Sequence, residues 1–150
     1  MDGASKAFIL QVLESREVLT LATVRPDGYP QATTVGYVND GLDIYVGTFD
    51  QAQKVANIRR DPRVSLTVNT EIRDWSRIRG LSMGGRAEVV TGPEELDRVR
   101  GLMRAKFPQL EAFASDPAME AQLVVLRIRP EVISVLDYTR GFGHTELVRA

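Results

Sequence analysis

The chain has 150 residues, 43% of them hydrophobic and 26% charged, with 19 basic against 20 acidic side chains and a formal net charge of −1. That length suits one buried core, and the charge balance exerts no general pull toward nucleic acid or an anionic membrane. With no cysteine and a single histidine, His144, the composition excludes disulfides, thiol catalysis, Cys-ligated zinc and a His-rich metal site within one chain.

Asp2, Lys6 and Glu14 surround a short apolar patch unlike a secretory leader, and no run approaches the roughly 20 apolar residues that cross a bilayer. A cytoplasmic protein is expected, with residues 1–150 forming one domain and neither nucleic acid nor membrane as partner. Phe8, Ile9, Val12 and Leu13 fall at helical spacing, so residues 5–13 predict a short amphipathic helix. The β-branched run VLTLATV (18–24) predicts a largely buried strand. Arg25-Pro26-Asp27-Gly28 predicts a turn, since proline presets φ and glycine tolerates positive φ. Residues 30–38 (PQATTVGYV) predict the next strand, and Asn39-Asp40-Gly41 a tight hairpin.

Residues 42–48 alternate strictly, with Leu42, Ile44 and Val46 on one face and Asp43, Tyr45 and Gly47 on the other. Residues 50–60 switch to helical period through Ala52, Val55, Ala56 and Ile58, and Asp61-Pro62 stops that helix. Val64, Leu66 and Val68 mark a strand. Residues 78–90 are extended again, with Gly84-Gly85 suggesting a bulge. Thr91-Gly92-Pro93-Glu94 has the pattern of a capping box for a helix whose core face is Leu96, Val99 and Met103. Phe107-Pro108 ends it, a second short helix is expected within 109–122, and two strands, 123–129 and 132–138, meet about Pro130. Six or seven strands joined by short connections predict a mainly β, antiparallel barrel with about three peripheral helices.

The segment richest in chemistry is Gly47-Thr48-Phe49-Asp50-Gln51-Ala52-Gln53-Lys54, where a strand gives way to a helix. Asp50 has the character of an N-cap, with Gln53 three residues on completing a box variant. Beyond the cap, a first helical turn offers free N–H groups and partial positive charge. With the Lys54 ammonium and the Thr48 hydroxyl, that composes a cradle for one phosphate monoester, although capped helices bearing a solvated lysine are common. Thr33, Thr34 and Val35 lie in a strand whose backbone and hydroxyls suit the edge of a flat heteroaromatic ring; threonine is also simply a good strand former. Two arginine groups (Arg59, Arg60, Arg63 and Arg73, Arg77, Arg79) are consistent with anion binding or with plain solvation. Trp75 sits in a polar stretch where an interface or a stacked ring would use it. Near the end, Phe142 and His144 among glycines either fold over a pocket or belong to a frayed terminus.

The segments LATVRPDGYPQATTVGYV and LDIYVGTFDQAQKVANIRRDPRVSLTV together resemble the pyridoxamine 5′-phosphate oxidase-like family of FMN-binding split barrels. The resemblance spans roughly residues 15–90, more loosely the strands near LVVLRIRPEVISVLDY, and is strongest from Thr48 through Lys54 to Val64. It implies an antiparallel split barrel, a homodimer with FMN at the subunit interface, and an FMN-dependent oxidoreductase acting on a small-molecule substrate or electron donor. It assigns the flavin ring to Thr33, Thr34 and Val35, and the phosphate to Thr48, Gln53 and Lys54. Gln53-Lys54 stands where the true oxidase has Arg-Lys, and Thr33 where its strand has arginine; Arg79 or Arg86 is a candidate to restore the charge. The oxidase's C-terminal Arg-x-His signature is replaced by Gly141-Phe142-Gly143-His144, so vitamin B6 synthesis is not expected. Phe142 and His144 are candidate substrate-side residues. The family also includes deazaflavin-dependent reductases, whose anionic tail the Arg59, Arg60 and Arg63 group would meet, and haem-associated members. A non-catalytic flavin- or haem-binding module is the alternative, with His144 as axial ligand.

Overall fold

The run VLTLATV forms β1 (Val18–Val24), with Leu19, Leu21 and Thr23 turned into the core. The computed structural model describes residues 1–71, 73–114 and 116–150, the side chains of 113 and 114 excepted. After β1 the chain turns through Arg25 and Gly28, where Gly28 takes φ 84° and donates to the Arg25 carbonyl at 2.9 Å. It returns as β2 (Pro30–Gly36), antiparallel to β1.

The expected strand over 30–38 is broken at Tyr37. Its amide donates to the Glu17 carbonyl at 3.1 Å and its hydroxyl to the Leu13 carbonyl at 2.5 Å. Those two bonds redirect the chain into β3 (Val38–Asp40), which turns at Gly41 and pairs with β4 (Asp43–Phe49). β5 (Arg63–Asn69) and β6 (Arg79–Val89) follow. The two strands expected about Pro130 are one, β7 (Leu123–Asp137). Its register against β6 shifts between Gly84 and Gly85, so that Gly84 faces Val132, Gly85 faces Pro130 and Glu131 bulges. The proline's missing N–H thus falls where the ladder is already interrupted. A Cβ on Gly85 would lie 2.3 Å from the Arg129 carbonyl oxygen, so the close approach there requires glycine. The end of the chain is no frayed tail: β8 (Thr145–Arg149) pairs with β7.

The eight strands form one curled antiparallel sheet in the order β2-β1-β5-β6-β7-β4-β3, with β8 beside β7. β6 runs along one edge of β7, while β4 and β8 divide the other between them. That division makes the barrel split. Inside the curl lie Leu21, Ile44, Val46, Leu66, Leu126 and Ile133, closed by α1 (Gly3–Ser15) through Ile9 and Leu13 and by α2 (Gln53–Arg60) through Val55 and Ile58.

α3 (Pro93–Lys106) covers the opposite face of β4 and β7, enclosing Val38, Tyr45, Val90, Val99 and Val125. β4, whose alternation suggested one buried face, therefore buries both. α3 also departs from its expected capping box. Its N-cap is Gly92, with no side-chain cap bond, and Pro93 opens the first turn. Glu95, one residue past the expected box, accepts from Arg127 at 2.6 and 2.7 Å and from the Tyr45 hydroxyl at 3.0 Å. Two single-turn helices, α4 (Glu111–Ala114) and α5 (Pro117–Glu120), occupy the region expected to hold one, with residue 115 outside the described residues. Among the described residues, no helix is long and apolar enough to cross a membrane.

Candidate functional site

β4 ends at Phe49, and the Asp50 amide is fixed to the Gln122 carbonyl at 2.8 Å. Asp50 is not the cap of α2. Two more turn residues intervene, the N-cap is Ala52, and no side chain bonds to the first-turn amides. Asp50 instead accepts from Arg59 at 2.9 Å, and Gln53 donates to Asn57 at 2.8 Å rather than reaching back. The Asp50 carboxylate is thereby drawn aside from the first-turn amides, which no side chain caps. The first turn of α2 carries no acidic residue, and Arg59 and Arg60 occupy its last turn, where they suit the helix dipole. Lys54 is half-buried, and its ammonium has neither a hydrogen bond nor an ion pair among the described residues.

Asn57, fully buried, ties this junction to the sheet. Its amide accepts from Gln53 and donates to Thr23 Oγ1 at 3.0 Å on β1 and Gln31 Oε1 at 3.2 Å on β2. The pattern analysis missed Asn57, Gln31 and Thr23; the available signal was the Gln53–Asn57 spacing, one helical turn apart. Two residues beyond Gln31, and on the same face of β2, stands Thr33, whose Oγ1 is buried without a hydrogen-bond partner. Val35 shares that face, while Ala32, Thr34 and Gly36 look outward and are exposed. Thr48, Gln53 and Lys54 therefore share one strand-to-helix junction, and Asn57 links it to the strand of Thr33, Thr34 and Val35.

Phe142 and His144 do not join this site within the chain. Phe142 is 74% exposed and packs edge-on against Tyr138 at 5.3 Å. His144 lines a cavity of about 370 Å³ with Asp2, Phe8, Asp137, Arg140 and Glu146, and its Nε2 is buried without a partner. The first arginine group is occupied. Arg59 meets Asp50, Arg60 donates to the Val24 and Arg25 carbonyls at 2.7 and 2.8 Å, and Arg63 meets Asp61 at 2.7 Å, holding that carboxyl far below its ordinary range. Arg79 and Arg86 are paired with Asp137 and Glu131. Trp75 is 68% exposed.

Three features thus converge on an anion with an attached polar body: an uncapped helix start, an unpaired lysine and an orphaned threonine hydroxyl. A helix start without a side-chain cap and a lysine without a partner are chemically suited to a phosphate, and the Thr33 hydroxyl to a polar group.

A split antiparallel barrel defines the class of protein. The family model for pyridoxamine 5′-phosphate oxidase matches residues 5–137, and the chain belongs to that family. Similar solved structures include a conserved hypothetical protein from Mycobacterium tuberculosis, 30% identical over 100% of this chain and 94% of that one, with TM-score 0.78. A haem-binding protein from Mycobacterium smegmatis is 20% identical with TM-score 0.78; the match covers 99% of this chain but 59% of that one. An FAD-binding protein from Mesorhizobium loti is 20% identical over 89% and 92% of the two chains, with TM-score 0.68. The last two likenesses speak to the fold alone.

Proposed function

We propose that the chain, as one unit over residues 1–150, binds FMN and is an oxidoreductase that passes electrons between the flavin and a small-molecule substrate or donor. The observation carrying this reading is the coincidence of the uncapped α2, the unpartnered Lys54 and the orphaned Thr33 Oγ1 around one Asn57-braced junction. The flavin supplies the redox chemistry; the protein holds and orients it. Lys54, Thr48 and the first-turn amides of α2 meet the phosphate, and the ribityl chain, on the α2 side of β2, gives the Thr33 hydroxyl a partner. Thr34 and Val35 offer backbone groups to the ring. The outward face of β2 is exposed and β2 pairs only with β1. A ring lying there needs a second cover, which a homodimer supplies; Phe142 and His144 of the partner would reach the substrate side only across that interface.

The test is an absorbance spectrum of the purified protein followed by titration with FMN, a deazaflavin cofactor and haem. A flavin spectrum and saturable FMN binding are expected. A colourless protein that does not bind added FMN would sink the reading. For the deazaflavin alternative, Arg59 and Arg63 would have to meet the anionic tail beside their present partners Asp50 and Asp61, and Arg60 beside the Val24 and Arg25 carbonyls. The orphaned Nε2 of His144 favours a second reading, a haem module, although the three carboxylates Asp2, Asp137 and Glu146 outnumber Arg140 in that cavity. His144→Ala abolishing haem binding in that titration would support it.

A further inference from the structure

A second cavity, of about 530 Å³, lies between α3, α5 and the start of β7. It is on the α3 side of β4: Gly47 faces it, and a Cβ there would sit 3.5 Å from Met103 Cε. Leu96, Met103, Leu123 and Val125 give it aliphatic walls. Its charged lining among the described residues is Arg100, Arg104 and Glu120, a positive excess. The Arg104 guanidinium has no hydrogen bond or ion pair among the described residues, and Arg100 has only a contact with Asp97 at 4.0 Å. An apolar cavity of this size rimmed by an uncommitted cation has the features of a small-molecule site, in which the walls supply affinity and the charge fixes orientation.

We propose that this cavity binds a free single-chain amphiphile with an anionic head, of the medium-chain carboxylate type. The chain lies along Leu96, Leu123 and Val125, and the carboxylate meets Arg104, with Arg100 in support. Thr48 borders both this cavity and the flavin junction, but Gln53, Lys54, Asn57, Gln31 and Thr33 take no part in the cavity, so the two sites meet at one residue and are otherwise distinct.

The experiment is calorimetric titration of the full chain with octanoate, decanoate and dodecanoate below their micellar concentrations. One-to-one binding is expected, tightening about fourfold per added methylene until the cavity is full. Arg104→Glu weakens dodecanoate by about tenfold or more, and dodecyltrimethylammonium binds more weakly than dodecanoate. Gly47→Val narrows the floor and weakens binding on its own, providing a second variant should the first perturb α3. Saturating FMN leaves dodecanoate binding unchanged. Absence of binding to the wild type, affinity indifferent to chain length or to Arg104→Glu, or displacement by FMN would each overturn the proposal. So would co-sedimentation with phosphatidylglycerol vesicles that dodecanoate fails to compete, which would assign the arginines to a bilayer surface instead.

Discussion

Thr33 is subject to two opposed demands. Its hydroxyl is buried without a partner, a cost of about 1–3 kcal/mol for a typical orphaned group, and the proposed ribityl chain would supply one. Thr33→Val keeps the shape and removes the hydroxyl. The substitution is expected to raise the stability of the cofactor-free protein by about 1 kcal/mol in chemical denaturation while weakening FMN binding roughly tenfold. A merely structural threonine would show the gain in stability without the loss of FMN affinity. Asn57 behaves differently: Asn57→Leu strands Gln53, Gln31 and Thr23 together, and a loss of about 2 kcal/mol is expected from the same kind of measurement. Gly85→Ala puts a methyl against the Arg129 carbonyl and is expected to cost about 2 kcal/mol, with no specific effect on FMN affinity in the protein that remains folded.

At the scale of elements, what was legible in the sequence was what short-range chemistry decides. Gly28 and Gly41 announced their turns because each needs positive φ, and VLTLATV announced β1 through its β-branched run. The break at Tyr37 was hidden because its causes, the carbonyls of Leu13 and Glu17, are far away in sequence. The two expected capping boxes failed for different reasons: Arg59 draws Asp50 away from the start of α2, whereas α3 begins one residue later than Thr91 would cap it, with Gly92 as N-cap and Pro93 in the first turn. The Glu95–Arg127 pair also governs how α3 is held. Arg127, flanked by Glu88 and Glu95, keeps the Glu95 carboxyl below its ordinary value of 4.5. A carboxylate depressed in the fold stabilises above its unfolded value, and that contribution is lost as pH falls through the lower folded one. Acid unfolding followed by circular dichroism is therefore expected to steepen below about pH 4.5 in the wild type, and Glu95→Gln to be less stable at neutral pH with a shallower acid limb.

At the scale of the whole molecule, β2 ends the sheet with an exposed outer face, and Asn57 links it to the start of α2. Membership of the pyridoxamine 5′-phosphate oxidase family fits this architecture. The expected flavin residues fall on two elements that a local pattern could name separately, but their connection runs through Asn57, which only the fold brings beneath β2. If β2 needs a partner to cover a bound ring, FMN should promote association, and light scattering should report a dimer whose stability increases when FMN is present.

The claim on which the rest depends is that the start of α2, with Lys54, holds a phosphate. Comparing FMN with riboflavin by equilibrium fluorescence quenching, in the wild type and in Lys54→Ala, isolates that group. The wild type is expected to prefer FMN by about tenfold or more, the value of a charge-assisted contact, and the lysine variant to lose most of that preference while its riboflavin affinity is unchanged. Equal affinity of the wild type for the two flavins, or a preference untouched by removing Lys54, would contradict it.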